Sequence, residues 1–333
     1  MWLVTIVVSC VALFVLVYRL AVHTTRGRLL DGAAFRGSVV ARSRVTDYVE
    51  GLLDIVSVLA LMVAAATLVG IALARHRRGL AVASVVLIVG ANATTQLLKS
   101  TVLTRPDLGL QETTPATLNS LPSGHGTVAL SVVAALVLVV PAALRPVVAV
   151  AGVAYASVTG LATLSAGWHR PSDAVAAFLV VGAWAAGVGA LLVLLGQPAD
   201  AGDAVSAGDD EPLVAHQRTA RLLAVSAGYL LAFGGLLSAV IVGTDLTSEG
   251  GASALVPAYL AGGGAIAGTA AAVMAALLLV AHRVAPTNVA PGLPVRDRRW
   301  PWQTKSRHSN VRAPGSVQFR TGGDSPRPVR RQR

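Results

Sequence analysis

Apolar residues run through this chain in long unbroken windows, not in the alternation of a soluble amphipathic helix or strand. The windows lie near residues 2–18, 51–74, 79–98, 126–144, 146–164, 174–195, 222–243 and 255–281. A bilayer core takes roughly 20 apolar residues per spanning helix, so the pattern predicts eight spans. Polar positions collect between the windows. A soluble bundle of such segments would have no water-facing surface. The expected fold class is therefore all-α, a polytopic transmembrane helical bundle. Trp2 to Tyr18 lacks a basic leader and a small-residue cleavage site before Arg19, so it reads as a retained first helix.

Composition sharpens this. Apolar residues make up 54% of the chain and charged residues 13%, against about 25% charged in an ordinary soluble domain. Mean hydropathy is +0.66. The single cysteine, Cys10, lies inside the first window. It forms no intramolecular disulfide and belongs to no cysteine metal site. The net charge of +11 is concentrated at the end of the chain, where residues 284–333 carry eleven Lys/Arg against two Asp. This segment is rich in Pro, Gly, Ser and Arg and is expected to be disordered, touching anionic headgroups from the cytoplasmic side. It holds no folded nucleic-acid reading module, so no nucleic-acid partner is expected.

The loops set an orientation. Arg75, Arg77, Arg78, Arg145, Arg218, Arg221 and the basic tail fall on one side of an eight-span chain, and the acidic loop 244–253 falls on the other. The positive-inside rule places both termini in the cytoplasm. Residues 23–50 are too polar to cross. Leu29, Leu30, Phe35, Val39 and Val40 there alternate with Arg26, Arg28, Arg36, Arg42 and Arg44, which predicts an interfacial amphipathic segment.

Few charges lie near the spans, and in a membrane such charges are functional candidates. Asn92, Gln96 and Lys99 are spaced i, i+4, i+7 and form one helical stripe. Arg105-Pro106 follows. Pro122-Ser123-Gly124-His125 stands just before the fourth span, where a turn would open a helix N-terminus. Free amides there suit a phosphate, Ser123 adds a hydroxyl, Gly124 permits close approach, and His125 can exchange a proton near neutral pH. At the start of the sixth span, Ser172 is a natural N-cap. Asp173 lies four residues past His169, near enough to bond its ring and raise its basicity.

Taken together, Lys99…Arg105-Pro106, Pro122-Ser123-Gly124-His125 and His169-x3-Asp173 resemble the type 2 phosphatidic acid phosphatase (PAP2) family, which shares its site with vanadium haloperoxidases. The resemblance covers roughly residues 50–195. It implies a six-span core over residues 1–196. An acidic linker (197–217), a two-span module (218–283) and the tail (284–333) lie outside it. It also implies roles. His169 would attack phosphorus, Asp173 would orient it, and His125 would protonate the leaving oxygen. Lys99, Arg105, Ser123 and Gly124 would hold the phosphoryl oxygens. The implied activity is metal-independent hydrolysis of a lipid phosphate in the cell membrane, on the extracytoplasmic face, with no cofactor.

Two positions depart from the family pattern. Five residues, not six, separate Lys99 from Arg105, and Ala162 and Thr163 stand where the family carries Ser-Arg. Arg170 is the candidate substitute cation. The alternative reading is a catalytically weakened protein that binds a phosphorylated lipid or a partner. The last two spans read as a dimerisation or partner-docking module, which leaves a homodimer open.

Overall fold

A computed structural model describes residues 2–38, 58–74, 78–110, 119–195, 211–242 and 252–284. Residues 197–210 of the acidic linker, the loop 243–251 and the tail beyond residue 284 lie outside the described residues, as do Arg75, Arg77, Val39, Val40, Arg42 and Arg44, while residues 211–217 of the expected linker are helical.

Among the described residues each apolar window holds a helix. We number them α1 (Trp2–Val17), α2 (residues 25–38), α3 (Val58–Ala74), α4 (Arg78–Leu97), α5 (Gly124–Val139), α6 (Arg145–Ser165), α7 (Pro171–Leu194), α8 (Glu211–Val242) and α9 (Ala252–Val284). No strand occurs among the described residues. Helices α1 and α4 each run into a π-helical turn, Tyr18–Val22 and Leu98–Val102. Among the described residues, six helices are long and apolar enough to cross a membrane; the apolar parts of α3 and α5 are shorter.

The chain is a multi-pass membrane protein, and its burial pattern is that of one. Large apolar side chains such as Val8, Val82, Val147 and Leu236 are exposed, while Ser84, Thr95, Ser131 and Thr159 are buried. In lipid, outward apolar surface costs nothing, and polar groups must find partners inside. Ser84 and Thr159 each donate to the carbonyl four residues earlier. Asn92 reaches from α4 to Ser131 Oγ on α5, 3.2 Å away, so this part of the polar stripe holds two helices together.

Helices α1 and α8 lie mostly exposed, while α7 and α9 are the most enclosed spans. The core joins Leu87 of α4, Leu130 of α5, Leu164 of α6, Phe178 of α7 and Met274 of α9. Residues Met1–Val289 form one compact unit, in which α9 packs on α6 and α7. At one end Arg145 Nη1 donates to the Ala281 carbonyl of α9. At the other, Ser165 Oγ and Tyr259 Oη are 3.0 Å apart.

Helix α2 differs from its sequence reading. Much of it is covered by protein. Ala33, Ala34 and Phe35 are buried, with Ala33 and Ala34 packed against Ile241 and Ala258, and both Arg28 and Asp31 are buried. The alternation of Leu and Arg along 26–44 could not show this, because the surface that covers α2 comes from α8 and α9, two hundred residues away.

The close approach of α9 to the start of α7 rests on Gly262. A Cβ there would stand 2.5 Å from Cγ and 3.1 Å from Cβ of Pro171. Gly262→Ala is expected to cost about 1–3 kcal/mol through overpacking, read as a lower thermal midpoint in detergent. Gly187→Ala, where a Cβ meets nothing within 4 Å, should be neutral or gain stability, since Ala is the better helix former. Equal midpoints for both variants would contradict this packing.

Candidate functional site

Four segments meet at one end of the bundle. Lys99 comes from the π-turn that ends α4, Arg105 from the extended segment after it, Ser123 to His125 from the start of α5, and His169 to Asp173 from the start of α7. Each is held by local chemistry that the residues dictate.

Ser123 is the N-cap of α5. Its Oγ accepts from Gly126 N at 3.2 Å, and its carbonyl accepts from Thr127 N at 3.1 Å. The cap uses the hydroxyl oxygen as acceptor and leaves its hydrogen to donate. It also leaves the Gly124 and His125 amides as the donors of the first turn. A Cβ on Gly124 would make only ordinary contact with Gln96, so no close approach within the protein requires this glycine.

The loop that carries His169 is shaped by the end of α6. Gly167 adopts φ +74°, the left-handed cap that ends a helix. The chain then folds back so that the Trp168 and His169 amides both donate to the Thr163 carbonyl, at 3.0 and 3.2 Å. Helix α7 opens at Pro171 with Arg170 as its N-cap residue. Ser172, expected as the N-cap, is one residue inside the helix and its hydroxyl bonds elsewhere.

Asp173 is the hub. It is 1% exposed, and its Oδ2 meets three groups: His169 Nδ1 at 3.2 Å, Ser120 Oγ at 2.7 Å and Arg170 N at 3.0 Å. Its own carbonyl accepts from Ser123 N at 2.9 Å. One residue thus ties the His169 loop to the Ser123 turn. The His125 and His169 rings face each other with centroids 6.3 Å apart. Trp168, 45% exposed, lies 5.4 Å from His125. The charges of His169 and Lys99 both bear on His125.

Several residues not singled out from the sequence complete the frame. Asn119 Nδ2 donates to the carbonyls of Lys99 (3.2 Å) and Leu103 (3.1 Å). Tyr18 Oη donates to the Thr104 carbonyl at 2.8 Å and accepts from Thr104 N at 3.1 Å. Arg28 Nη1 donates to the Pro106 carbonyl at 2.9 Å. The residues on both sides of Arg105 are therefore fixed from α1 and α2. Asp31 takes Ser172 N on Oδ1 (3.1 Å) and Ser172 Oγ on Oδ2 (2.6 Å). Burial and the nearby Asp173 raise Asp31 to about 6, while the Ser172 bonds and the Arg170 charge pull the other way. One signal for it existed: Asp31 is the only acidic residue among the first 46.

The third-motif positions are closed. Thr163 is buried and its hydroxyl donates to the Gly160 carbonyl. Arg170 is 3% exposed, its guanidinium carbon 5.8 Å from the ring centroid of Phe35 on α2, and its charge acts on Asp31. Arg170 is thus engaged toward α2. Lys99 and Arg105, both half-buried, are the cations that the motif positions bring to this end.

Residues 80–196 match the model of the PAP2 superfamily. The match covers about a third of the chain and marks this segment as similar to that superfamily. No curated protein and no solved structure gives a significant match to the chain. The matched segment contains all three motifs, while Tyr18, Arg28, Asp31 and Phe35 precede it and α8 and α9 follow it.

Removing the hub should be costly. Asp173→Ala leaves the Arg170 amide, the Ser120 hydroxyl and the His169 ring without their shared acceptor. Loss of a buried, charged hydrogen-bond partner costs about 2–4 kcal/mol. A thermal midpoint unchanged from the wild type would show that the carboxylate does not hold these segments.

Proposed function

We propose that the chain is an integral membrane lipid phosphate phosphatase. It would hydrolyse the phosphomonoester or pyrophosphate of a lipid such as phosphatidic acid, phosphatidylglycerol phosphate or a polyprenyl pyrophosphate. One observation carries the reading. The buried Asp173 carboxylate engages Nδ1 of His169 while His125 faces the same ring across 6.3 Å, inside the segment that matches the PAP2 superfamily.

The chemistry follows from that arrangement. Asp173 accepts the Nδ1–H and leaves the Nε2 lone pair of His169 free to attack. As the Nε2–P bond forms, the P–O bond to the leaving group breaks, and protonated His125 gives its proton to the departing oxygen. His125, now neutral, takes a proton from water. That water attacks phosphorus, the P–N bond breaks, and inorganic phosphate leaves. Charge on the three phosphoryl oxygens is met by Lys99, Arg105, the Ser123 hydroxyl and the Gly124 amide, since phosphoryl transfer is mainly positioning and charge stabilisation. A site at the end of the bundle suits a substrate whose phosphate lies at headgroup level while its chains stay in lipid. The positive-inside rule puts that end on the extracytoplasmic face.

The closed third-motif position supports a second reading. With Thr163 buried and Arg170 turned to α2, a weakened protein would bind lipid phosphate without turning it over.

Phosphate release by the detergent-purified protein from mixed micelles of these lipids separates the two. The wild type should release phosphate, and His169→Ala should lower the rate at least ~10³-fold, as loss of a covalent nucleophile does. Turnover by His169→Ala would refute the mechanism. Binding without release by the wild type would favour the second reading.

A further inference from the structure

Helix α2 lies outside the matched segment, yet it reaches both halves of the site. Arg28 and Asp31 are three residues apart, so they share one face with an axial offset of about 4.5 Å. Arg28 holds the Pro106 carbonyl, next to Arg105. Asp31 holds the backbone and the hydroxyl of Ser172, adjacent to Asp173. Phe35, one turn further along, lies under the Arg170 guanidinium, next to His169. These contacts reach 78 and 141 residues further along the chain.

We propose that α2 is a brace that fixes the separation between the phosphate-binding Arg105 segment and the loop that carries His169, with Asp31 and Arg28 as its two positioning residues. Neither touches the reacting atoms. Asp31 acts through Ser172 and the first turn of α7, and so on the His169–Asp173 pair. Arg28 acts through Pro106, and so on Arg105. A helix is stiff, so the two anchors cannot move independently. Two buried, oppositely charged side chains on one face are each bonded to a different motif segment, Arg28 to the Val22 carbonyl as well at 3.3 Å. That arrangement exceeds what packing α2 against α8 and α9 needs, because Ala33 and Ala34 already supply that contact.

The consequence for turnover rests on the phosphatase reading, but the mechanical consequence does not. The two are read separately on Asp31→Ala, Asp31→Asn, Ser172→Ala and Arg28→Ala in the full-length protein. Amide hydrogen exchange gives the mechanical arm. Asp31→Ala and Ser172→Ala should speed exchange in residues 168–174 and leave residues 101–105 unchanged; Arg28→Ala should do the reverse. Asp31→Asn keeps an acceptor for the Ser172 amide and should restore most of the protection. Exchange that rises uniformly, or in neither segment, overturns the brace whatever the activity.

In the turnover arm, Asp31→Ala should lower kcat about tenfold with KM within about threefold, and Asp31→Asn should recover most of it. Arg28→Ala should instead raise KM about tenfold, because it loosens binding of the phosphoryl group. Equal changes in both parameters for both variants would mean general destabilisation and would overturn the proposal. If the wild type releases no phosphate, the phosphatase reading fails and the exchange arm still decides the brace. Should Asp31→Ala not fold, Ser172→Ala carries the same prediction on residues 168–174.

Discussion

A single buried carboxylate organises the functional end of this bundle. Asp173 collects an imidazole, a hydroxyl and a backbone amide on one oxygen, and its carbonyl takes the Ser123 amide. Burying a carboxylate is expensive unless donors replace the lost water. Here the donors come from two places: Ser120 in the loop before α5, and the His169 ring with the Arg170 amide in the loop before α7. The energetic need of one charge therefore forces the motif segments into a fixed relation. The orientation of His169 is a by-product of satisfying Asp173.

The same logic extends outward. The 119–123 segment is pinned to the end of α4 by Asn119 and to Asp173 by Ser120. The Arg105 segment is pinned by Tyr18 and Arg28, and the start of α7 by Asp31. Among the described residues the site is a set of irregular segments whose backbone groups are answered by side chains from neighbouring elements. Irregular backbone at a membrane protein's site survives only where it is enclosed by protein in this way. The two π-turns, one carrying Tyr18 and one carrying Lys99, lie in these same segments. Such turns re-aim side chains at the end of a helix.

The helices outside residues 80–196 contribute shape, not motif residues. Helix α9 presses on Pro171 through Gly262 and links to α6 through Tyr259. It thereby backs the loop between α6 and α7. Helix α8 in turn packs along α9 and covers part of α2. Removal of lipid from between these helices needs small residues, and the contacts run through glycines: Gly160 against Ile266, Gly264 against the Leu230 carbonyl.

Much was legible in the residues alone. Long charge-free windows require helices in lipid because every backbone group must be paired within its own segment, and among the described residues each window holds a helix. The motif residues were legible because charges and histidines at span ends are costly without a purpose. Their grouping followed from loop parity. Burial of α2 was not legible, since its amphipathic pattern is the same whether headgroups or protein cover it. Nor was the direction of Arg170, because residue spacing places a side chain on a helix but does not say which neighbour will answer it. Asn119, Ser120, Tyr18, Arg28 and Asp31 looked like ordinary loop or interfacial polar residues. Their roles arise from contacts across 16 to 141 residues, and only the folded chain brings those partners within hydrogen-bond range. Local chemistry is written in the sequence, whereas the choice of partner for a buried polar group is made by whichever distant segment packing delivers to it.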